Sequence, residues 1–184
     1  MSDSKFEKLV YRFEPEYMTI KDEAGNETEM GPNIYFRGGC QIPGANFNIG
    51  YGYITKAGII DRYPHKHPSD EYLVFGAGTL NSKDWDAEIE LTIGIGDDAE
   101  VYTIDGPTTV YIPAGVWHCP LDVKRVGKPV WFQPALFQGM FGGTYALPEG
   151  EKELTFNGPI DCILGEDKKC DCCRKCLSRS WEKV

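Results

Sequence analysis

All three histidines of this chain lie in two short segments, and no other feature constrains the fold as much. Residues 65–71 read His-Lys-His-Pro-Ser-Asp-Glu, and residues 113–118 read Pro-Ala-Gly-Val-Trp-His. Histidines without a shared task would be scattered along the sequence. The simplest physical reason for the clustering is one bound metal ion. Its predicted ligands are His65, His67, Glu71 and His118.

Strand geometry explains how the first three ligands could meet. Side chains two residues apart in a β-strand point to the same face, so His65 and His67 can reach one ion while Lys66 points away. On a straight strand Glu71 would lie roughly 13 Å beyond His67, too far to share that ion. The chain must therefore turn, and residues 68–70 (Pro-Ser-Asp) have the composition of a turn. Glu71 would then open the next strand, beside the histidines.

The second segment follows the same plan. Residues 108–112 have strand composition, residues 113–115 (Pro-Ala-Gly) form a turn, and His118 begins another strand. Pairing of the two hairpins would bring His118 to the same ion. Cys119 comes next, so strand alternation places its thiol on the opposite face, where we interpret it as packing. Three imidazoles and one carboxylate suit Fe(II), Mn(II), Ni(II), Cu(II) or Zn(II).

These motifs resemble those of the cupins. The first cupin motif reads Gly, a spacer, His-x-His, three or four residues, Glu, six residues and Gly. In this chain it corresponds to Gly58, His65, His67, Glu71 and Gly78. The second motif reads Gly, a spacer, Pro-x-Gly, two residues, His, three residues and Asn. In this chain it corresponds to Gly106, Pro113, Gly115 and His118. Both spacers are one residue longer than usual, and Asp122 stands where the family often has Asn. The resemblance covers residues 48–138.

The resemblance implies an all-β fold, a small cupin-like double-stranded β-helix (jelly-roll) barrel with the ion inside near its mouth. It also implies a homodimer, because cupin barrels often pair through their N-terminal strands. We predict three parts. Residues 1–47 form an N-terminal extension that packs on the barrel, and residues 48–150 form the barrel. Residues 151–184 form a cysteine-rich tail with a short helix at residues 166–182.

Alternating side chains mark individual strands. Residues 88–95 carry apolar side chains on one face and polar ones on the other, and residues 47–54 show a similar half-buried pattern. Residues 1–33 look polar and irregular, with an exposed turn at residues 21–27. Residues 129–148 have no charged side chain, but their prolines and glycines favour buried strands and a turn over a membrane helix.

The net charge and the N-terminal residues indicate which partners and which location to expect. A net charge of −9 argues against nonspecific nucleic-acid binding, which depends on lysine and arginine neutralising phosphates. The first residues lack the apolar stretch of a signal peptide. We therefore expect a soluble cytoplasmic protein whose partner is a small-molecule substrate, with no nucleic acid and no membrane.

Five of the seven cysteines lie near the C-terminus: Cys162, Cys170, Cys172, Cys173 and Cys176. Their Cys-x-Cys and Cys-x-x-Cys spacings are typical of metal ligands and of redox pairs. Three interpretations stay open. The cluster could hold zinc or an iron–sulfur centre, act as a thiol–disulfide switch whose thiol pKa is lowered by neighbouring cations, or be a reduced tail without function.

Side chains beside the motifs are candidates for the substrate site. The aromatic candidates on or beside the motif strands are Tyr63, Tyr72, Tyr111, Trp117, Trp131 and Phe132. Sequence alone leaves open which of these point inward. Arg62, Tyr63 and Gln133 are the candidate catalytic residues, although an arginine before a turn is usually solvated and strand aromatics are usually core.

A catalytic metal needs an open coordination position, and four protein ligands on an octahedral ion leave two. We therefore expect a metal-dependent enzyme acting on a small organic molecule. An Fe(II)-type dioxygenase is preferred, because this ligand set recurs in the oxygen-using members of the resembled family. An isomerase, decarboxylase or lyase that uses the ion as a Lewis acid is one alternative. A non-catalytic small-molecule-binding or redox-sensing cupin is another.

Overall fold

Strands make up nearly all regular structure in the computed structural model, which describes residues 6, 9–13, 15–21, 24–42, 44–139, 141–148 and 150–155. No α-helix occurs within these residues, so the all-β prediction is confirmed. Nor do they include a helix that could cross a membrane. The predicted tail helix at residues 166–182 lies outside the described residues. So do the clustered cysteines Cys162, Cys170, Cys172, Cys173 and Cys176.

Thirteen strands follow one another along the described chain. They are β1 (Glu16–Lys21), β2 (Glu27–Arg37), β3 (Asn48–Ile54), β4 (Gly58–Asp61), β5 (His65–Lys66), β6 (Glu71–Ala77), β7 (Ala87–Ile93), β8 (Glu100–Ile104), β9 (Thr108–Ile112), β10 (His118–Val126), β11 (Val130–Leu136), β12 (Gly142–Leu147) and β13 (Gly150–Thr155). Strands β6, β9 and β10 begin at Glu71, Thr108 and His118, where the sequence predicted strands.

The strands form two antiparallel sheets that share one core. The first sheet has the order β2-β3-β11-β6-β9, and we call it the five-stranded sheet. The second has the order β13-β12-β5-β10-β4-β1, with β7 paired to β10 and β8 paired to β7. The β1–β2 hairpin joins the two sheets. Both sheets contribute to the core, for example Phe75 from β6 and Leu91 from β7. This is the predicted jelly-roll arrangement.

The alternation predicted for residues 88–95 is confirmed over most of its length. Ile89 and Leu91 are fully buried on β7, whereas Glu88 is exposed. The strand ends at Ile93 because Gly94, with φ +93°, takes the chain out of the sheet. Ile95 falls beyond this turn and is 37% exposed, so it does not continue the buried face.

The N-terminal part of the chain is more regular than the sequence indicated. We expected irregular structure up to residue 33. Instead, β1 pairs with β2 and β4, and β2 pairs with β3, so residues 16–37 are strands of the sheets themselves. Ile20 and Met30 are buried in the core, and the many polar neighbours hid this inward face in the sequence. The predicted turn between these strands is present.

Strand β3 buries the face that looked polar. Asn48, Gly50, Gly52 and Ile54 are buried, while Tyr51 is half-buried and Tyr53 is 46% exposed. The two glycines are required because side chains of β2 occupy the space beside them. A Cβ atom at Gly50 would lie 2.9 Å from the Tyr35 ring, and one at Gly52 would lie 1.9 Å from Asn33 Oδ1. The aromatic face of β3 therefore points out of the barrel.

The uncharged stretch at residues 129–148 forms two strands, as predicted. They are β11 and β12, which belong to different sheets rather than to one hairpin. Val130 and Leu136 of β11 are almost fully buried, and so is Tyr145 of β12. Burial in the core of a barrel accounts for the absence of charge in this stretch.

A partly buried ion pair ties β1 to β2 and gives a test of their place in the fold. Both Arg37 guanidinium nitrogens Nη1 and Nη2 donate to Glu16 carboxylate oxygens at 2.6 Å, with side chains 13% and 24% exposed. We predict that Glu16→Gln lowers the free energy of unfolding by about 2 kcal/mol, because Arg37 loses its counter-charge. Urea unfolding measures this change. Lys128→Met, at an exposed pair, is the control and should change little. An unchanged Glu16→Gln variant would contradict the prediction.

Candidate metal centre

The first residues of three strands supply three of the four predicted ligands. His65 opens β5 and pairs directly with His118, which opens β10 on the adjacent strand. Glu71 opens β6 in the five-stranded sheet, and His67 lies in the turn before it. All four side chains are buried, with exposed fractions between 1% and 4%. Each offers one donor atom, and these atoms lie within 4.8 Å of one another.

Asp70 fastens the turn of the first motif to the turn of the second. Its carboxylate accepts hydrogen bonds from the Ala114 backbone N–H at 3.0 Å and from the Tyr111 hydroxyl at 3.1 Å. The Gly115 N–H donates to the His67 carbonyl at 2.8 Å, with Gly115 at φ +81°. These contacts hold segments more than 40 residues apart in the chain at a fixed separation. They explain why Pro-Ser-Asp and Pro-Ala-Gly turns accompany the ligands.

Backbone carbonyls fix the orientation of every histidine ring. His65 Nδ1 lies 3.0 Å from the Tyr63 carbonyl, His67 Nδ1 lies 2.6 Å from that of Gly142, and His118 Nδ1 lies 3.1 Å from that of Val116. A carbonyl oxygen only accepts, so Nδ1 carries the proton in each neutral ring. The lone pair is thus on Nε2, and metal-bound histidines in proteins are oriented in this way.

Burial and neighbouring charges set the protonation of the ligands. Burial lowers the pKa of His65 well below its usual value, and the neighbouring histidines lower it further. Burial also lowers the pKa of His67, against the opposing effect of Glu71. For His118 burial acts in the same direction, but the Glu71 carboxylate outweighs it and raises the pKa. Two of the three rings are therefore neutral at pH 7, which is the form that binds a metal.

The donor atoms fit a divalent ion. His67 Nε2, His118 Nε2 and Glu71 Oε2 are buried and have no hydrogen-bond partner outside this cluster, which is costly for polar atoms. His118 Nε2 lies 2.9 Å from Glu71 Oε2, and His67 Nε2 lies 3.6 Å from it. Ligand atoms that share an ion at about 2.1 Å lie about 3 Å apart. A bound transition metal would therefore satisfy all of these atoms at once.

Gln138 supports the His67 end of the site through the Gly142 carbonyl. Its Nε2 donates to this carbonyl at 3.0 Å, beside the His67 ring, and its Oε1 accepts from the Ser69 hydroxyl at 3.2 Å. The Asn48 amide donates to the Gln138 backbone carbonyl. Gly143 must be small here, because an added Cβ would lie 3.0 Å from His67 Nδ1. The loop after β11 thus orients a ligand that lies about seventy residues earlier.

Aromatic rings line the histidines on several sides. Tyr145 stacks on His65 with ring centroids 4.7 Å apart, and Phe141 lies 5.8 Å from His67. Outside the ligand cluster, the Lys66 ammonium lies 4.4 Å from the Trp117 ring centroid, a cation–π contact between the two motifs. Burial raises the pKa of Tyr145 well above its usual value, so its phenol stays protonated.

Cys119 lies close to the ligands yet belongs to the core. Its φ of +73° and a register shift between β10 and β7 interrupt the strand alternation on which we based its orientation. Its sulfur lies within 4.8 Å of a His65 ring nitrogen and an Asp61 carboxylate oxygen. Burial raises the pKa of the Cys119 thiol well above its usual value, so the thiol is protonated and its predicted packing role is sound.

The candidate catalytic residues Arg62, Tyr63 and Gln133 occupy different places relative to the four predicted metal ligands. Arg62 is exposed, as an arginine before a turn usually is, and Gln133 lies on the outer face of β11, opposite to Phe132. Tyr63 contributes its backbone carbonyl to His65. Sequence reasoning missed Asp61, Gln138 and Tyr145, because no motif marks them. Their only signal was a position in a strand or beside a predicted turn.

The aromatic candidates divide between the two faces of the five-stranded sheet. Phe132 stacks on Phe75 inside the barrel at 5.0 Å. Tyr72 and Tyr111 are 36% and 50% exposed and contact each other outside it, and Trp131 packs there on Tyr51. The expected aromatic lining of the site therefore comes from Tyr145 and Phe141 instead.

Comparisons with known proteins found solved structures only. No protein-family model and no curated protein matches the sequence. A recombinant oxalate oxidase in complex with glycolate is 14% identical, with TM-score 0.41, covering 58% of this chain and 51% of that one. An oxalate decarboxylase variant from Bacillus subtilis is 14% identical, with TM-score 0.44, covering 68% and 28%. An oxalate oxidase in complex with the substrate analogue glycolate is 13% identical, with TM-score 0.46, covering 76% and 64%. This chain thus spans less than two thirds of each.

Gln138 offers a test of the ligand support. We predict that Gln138→Leu weakens metal binding by about 10- to 100-fold, because the Gly142 carbonyl and the His67 ring lose a fixed partner. Competition with a chromophoric chelator measures the affinity. Gln133→Leu is the matched control, since Gln133 lies on the outer face, and it should bind metal like the unaltered chain. Equal affinities of both variants would remove Gln138 from the support of the site.

Proposed function

We propose that this chain, whose fold and metal-ligand motifs are those of a cupin, is a metal-dependent enzyme acting on a small organic molecule. The finer proposal is an Fe(II)-type dioxygenase. One observation carries it: one ring nitrogen from each of three histidines and a Glu71 oxygen converge inside the barrel, and His67 Nε2, His118 Nε2 and Glu71 Oε2 have no partner outside this cluster. A purely structural role would not require four such groups to be buried together with three of their donor atoms unpartnered outside the cluster.

The ligand set supports a redox-active or Lewis-acidic ion. Two neutral rings, His118 and one carboxylate give nitrogen and oxygen donors that suit Fe(II) and its neighbours in the transition series. When bound, such an ion supplies Lewis acidity toward a carbonyl or carboxylate, and iron in addition supplies electrons for oxygen chemistry. Four protein ligands would leave two positions of an octahedral ion for other molecules. That number is what substrate and oxygen together require.

The residues around the ligands favour a small substrate. Inward positions of β6 after Glu71 are Leu73 and Phe75, and Phe75 stacks on Phe132, so the barrel is filled beyond the site. Space for a substrate therefore has to come from the mouth, beside Phe141 and Gln138. The buried Tyr145 ring stacks on His65 and keeps this side of the ligand group apolar. A few polar groups in an apolar surrounding would orient a small oxygen-bearing molecule.

Metal binding is the first test. We predict one divalent ion in the barrel, and a loss of affinity in Glu71→Gln that exceeds the effect of Gln138→Leu, because a ligand charge is removed. Asp122→Asn is the matched control, since its carboxylate lies outside the ligand group and contacts Lys124. Elemental analysis of the full chain and of a chain ending at Gly165 separates the barrel ion from any ion held by the tail. Metal retained equally in Glu71→Gln and the control would refute the site.

Oxygen consumption is the second test. Purified anaerobically and reconstituted with Fe(II), the protein is expected to take up oxygen with at least one member of a panel of small oxo-acids and diols. His67→Ala should abolish the uptake, because the ion loses a ligand. Carbon dioxide release or isomerisation without oxygen uptake would replace the dioxygenase by the decarboxylase, lyase or isomerase alternative. A tight ligand recovered unchanged would favour the non-catalytic binding module.

A further inference from the structure

We propose that Asp61 is a positioning residue of the candidate metal centre, a second carboxylate that acts on the bound ion through the His65 ring. This role rests on the proposed metal centre and adds to it a residue that the two sequence motifs do not include. Asp61 is the last residue of β4, four residues before His65. Strand pairing, the distance between the two side chains and the neutral groups around them support the role.

Strand pairing turns the Asp61 side chain toward the inside of the barrel. Asp61 lies directly opposite Leu121 of β10 in an antiparallel pair. Directly paired residues project from the same face of a sheet, and Leu121 is buried in the core. The Asp61 side chain is 28% exposed, so its carboxylate lies at the boundary between the interior and the solvent. A charged group on an inner face is costly, and its presence there calls for an explanation.

The Asp61 carboxylate lies beside the ring nitrogen by which His65 is oriented. Asp61 Oδ2 is 3.8 Å from His65 Nδ1, which donates to the Tyr63 carbonyl at 3.0 Å. The longer distance excludes a hydrogen bond, so the carboxylate acts on this N–H by its charge. Burial and the two other histidines lower the pKa of His65, and the ring stays neutral beside the carboxylate. A negative charge on the Nδ1 side of an imidazole makes Nε2 a stronger ligand.

Glu71 stands in a similar relation to the other two rings. Its Oε2 lies 2.9 Å from His118 Nε2 and 3.6 Å from His67 Nε2. Asp61 gives His65 the carboxylate neighbour that Glu71 gives to His118 and His67. The two carboxylates belong to β4 and β6, which lie in different sheets, so they approach the ligand group from different sides of the barrel.

Cys119 and Tyr145 complete the surroundings of His65 without adding charge. The Cys119 sulfur lies within 4.8 Å of an Asp61 oxygen and of a His65 ring nitrogen, and Tyr145 stacks on His65. Burial raises the pKa of the Cys119 thiol and of the Tyr145 phenol, and the Asp61 charge raises both further. Metals bind the thiolate rather than the thiol. The group of Asp61, His65 and Cys119 is therefore better explained as support for His65 than as a second metal site.

Cobalt(II) affinity tests the proposal in the full chain with its five cysteines at residues 162–176 replaced by serine, which removes competing thiols. We expect Asp61→Asn to weaken Co(II) binding by about 10-fold, a smaller loss than in Glu71→Gln. Asp61→Glu keeps the charge and should restore most of the affinity. Asp122→Asn is the matched control on the neighbouring strand, since Asp122 contacts Lys124 outside the ligand group. Chelator competition measures the affinity, and circular dichroism verifies that each variant is folded.

Azide binding to the Co(II) form is a readout that a purely structural role would not change. The Asp61 charge repels an anion that binds to the ion. Asp61→Asn should therefore bind azide about 10-fold more tightly than the parent chain, because one nearby negative charge is removed. The visible spectrum of Co(II) follows the titration. Equal azide affinities of Asp61→Asn and Asp122→Asn would overturn the proposal.

The remaining outcomes separate this role from the metal centre itself. A loss of Co(II) in Asp61→Asn as large as in Glu71→Gln would make Asp61 a direct ligand and overturn the positioning role. A similar loss in Cys119→Ser would overturn it in favour of a second metal site. A parent chain that binds no Co(II) would refute the metal centre and the Asp61 role together. Normal binding by both the parent chain and Asp61→Asn would remove Asp61 alone.

Discussion

Convergence of four buried donor groups is the constraint on which the rest of this structure depends. Three of the four groups come from strands of two different sheets and His67 comes from the turn between them, so both sheets must be closed and in register before the site exists. The Nδ1 bonds to backbone carbonyls leave each Nε2 free to face the others. Such bonds limit ring rotation before any ion binds. Pre-orientation of this kind reduces the entropic cost of assembling a metal site.

Support for the site comes from loops that are distant in sequence. Asp70 joins the two motif turns, and Gln138 fixes the Gly142 carbonyl that holds His67. Both residues act through hydrogen bonds to backbone groups rather than by touching the ion's position. Their polar atoms are satisfied, whereas three ligand atoms have no partner outside the cluster. This division between satisfied supports and unsatisfied ligands is the physical signature that separates a metal centre from a buried polar network.

The aromatic side chains of the five-stranded sheet lie on both of its faces. Gly50 and Gly52 leave room for β2 side chains inside, which forces the neighbouring tyrosines of β3 outward. The interior is closed by Phe75 and Phe132, while the outer rings of Trp131 and its neighbours remain partly exposed. The five-stranded sheet thus contributes Glu71 to the candidate metal centre on its inner face and has an uncharged outer face.

The sequence by itself determined the all-β class, the four residues of the candidate metal centre and the strands that begin at Glu71, Thr108 and His118. Period-two alternation and the turn residues are local signals, so they can be read without knowledge of the fold. Only the tertiary structure decided that β1 and β2 join the sheets, that Gln133 faces outward, and that Gln138 and Tyr145 belong to the site. Those facts depend on which face of each strand meets which neighbour, and a long-range pairing leaves no trace in local composition.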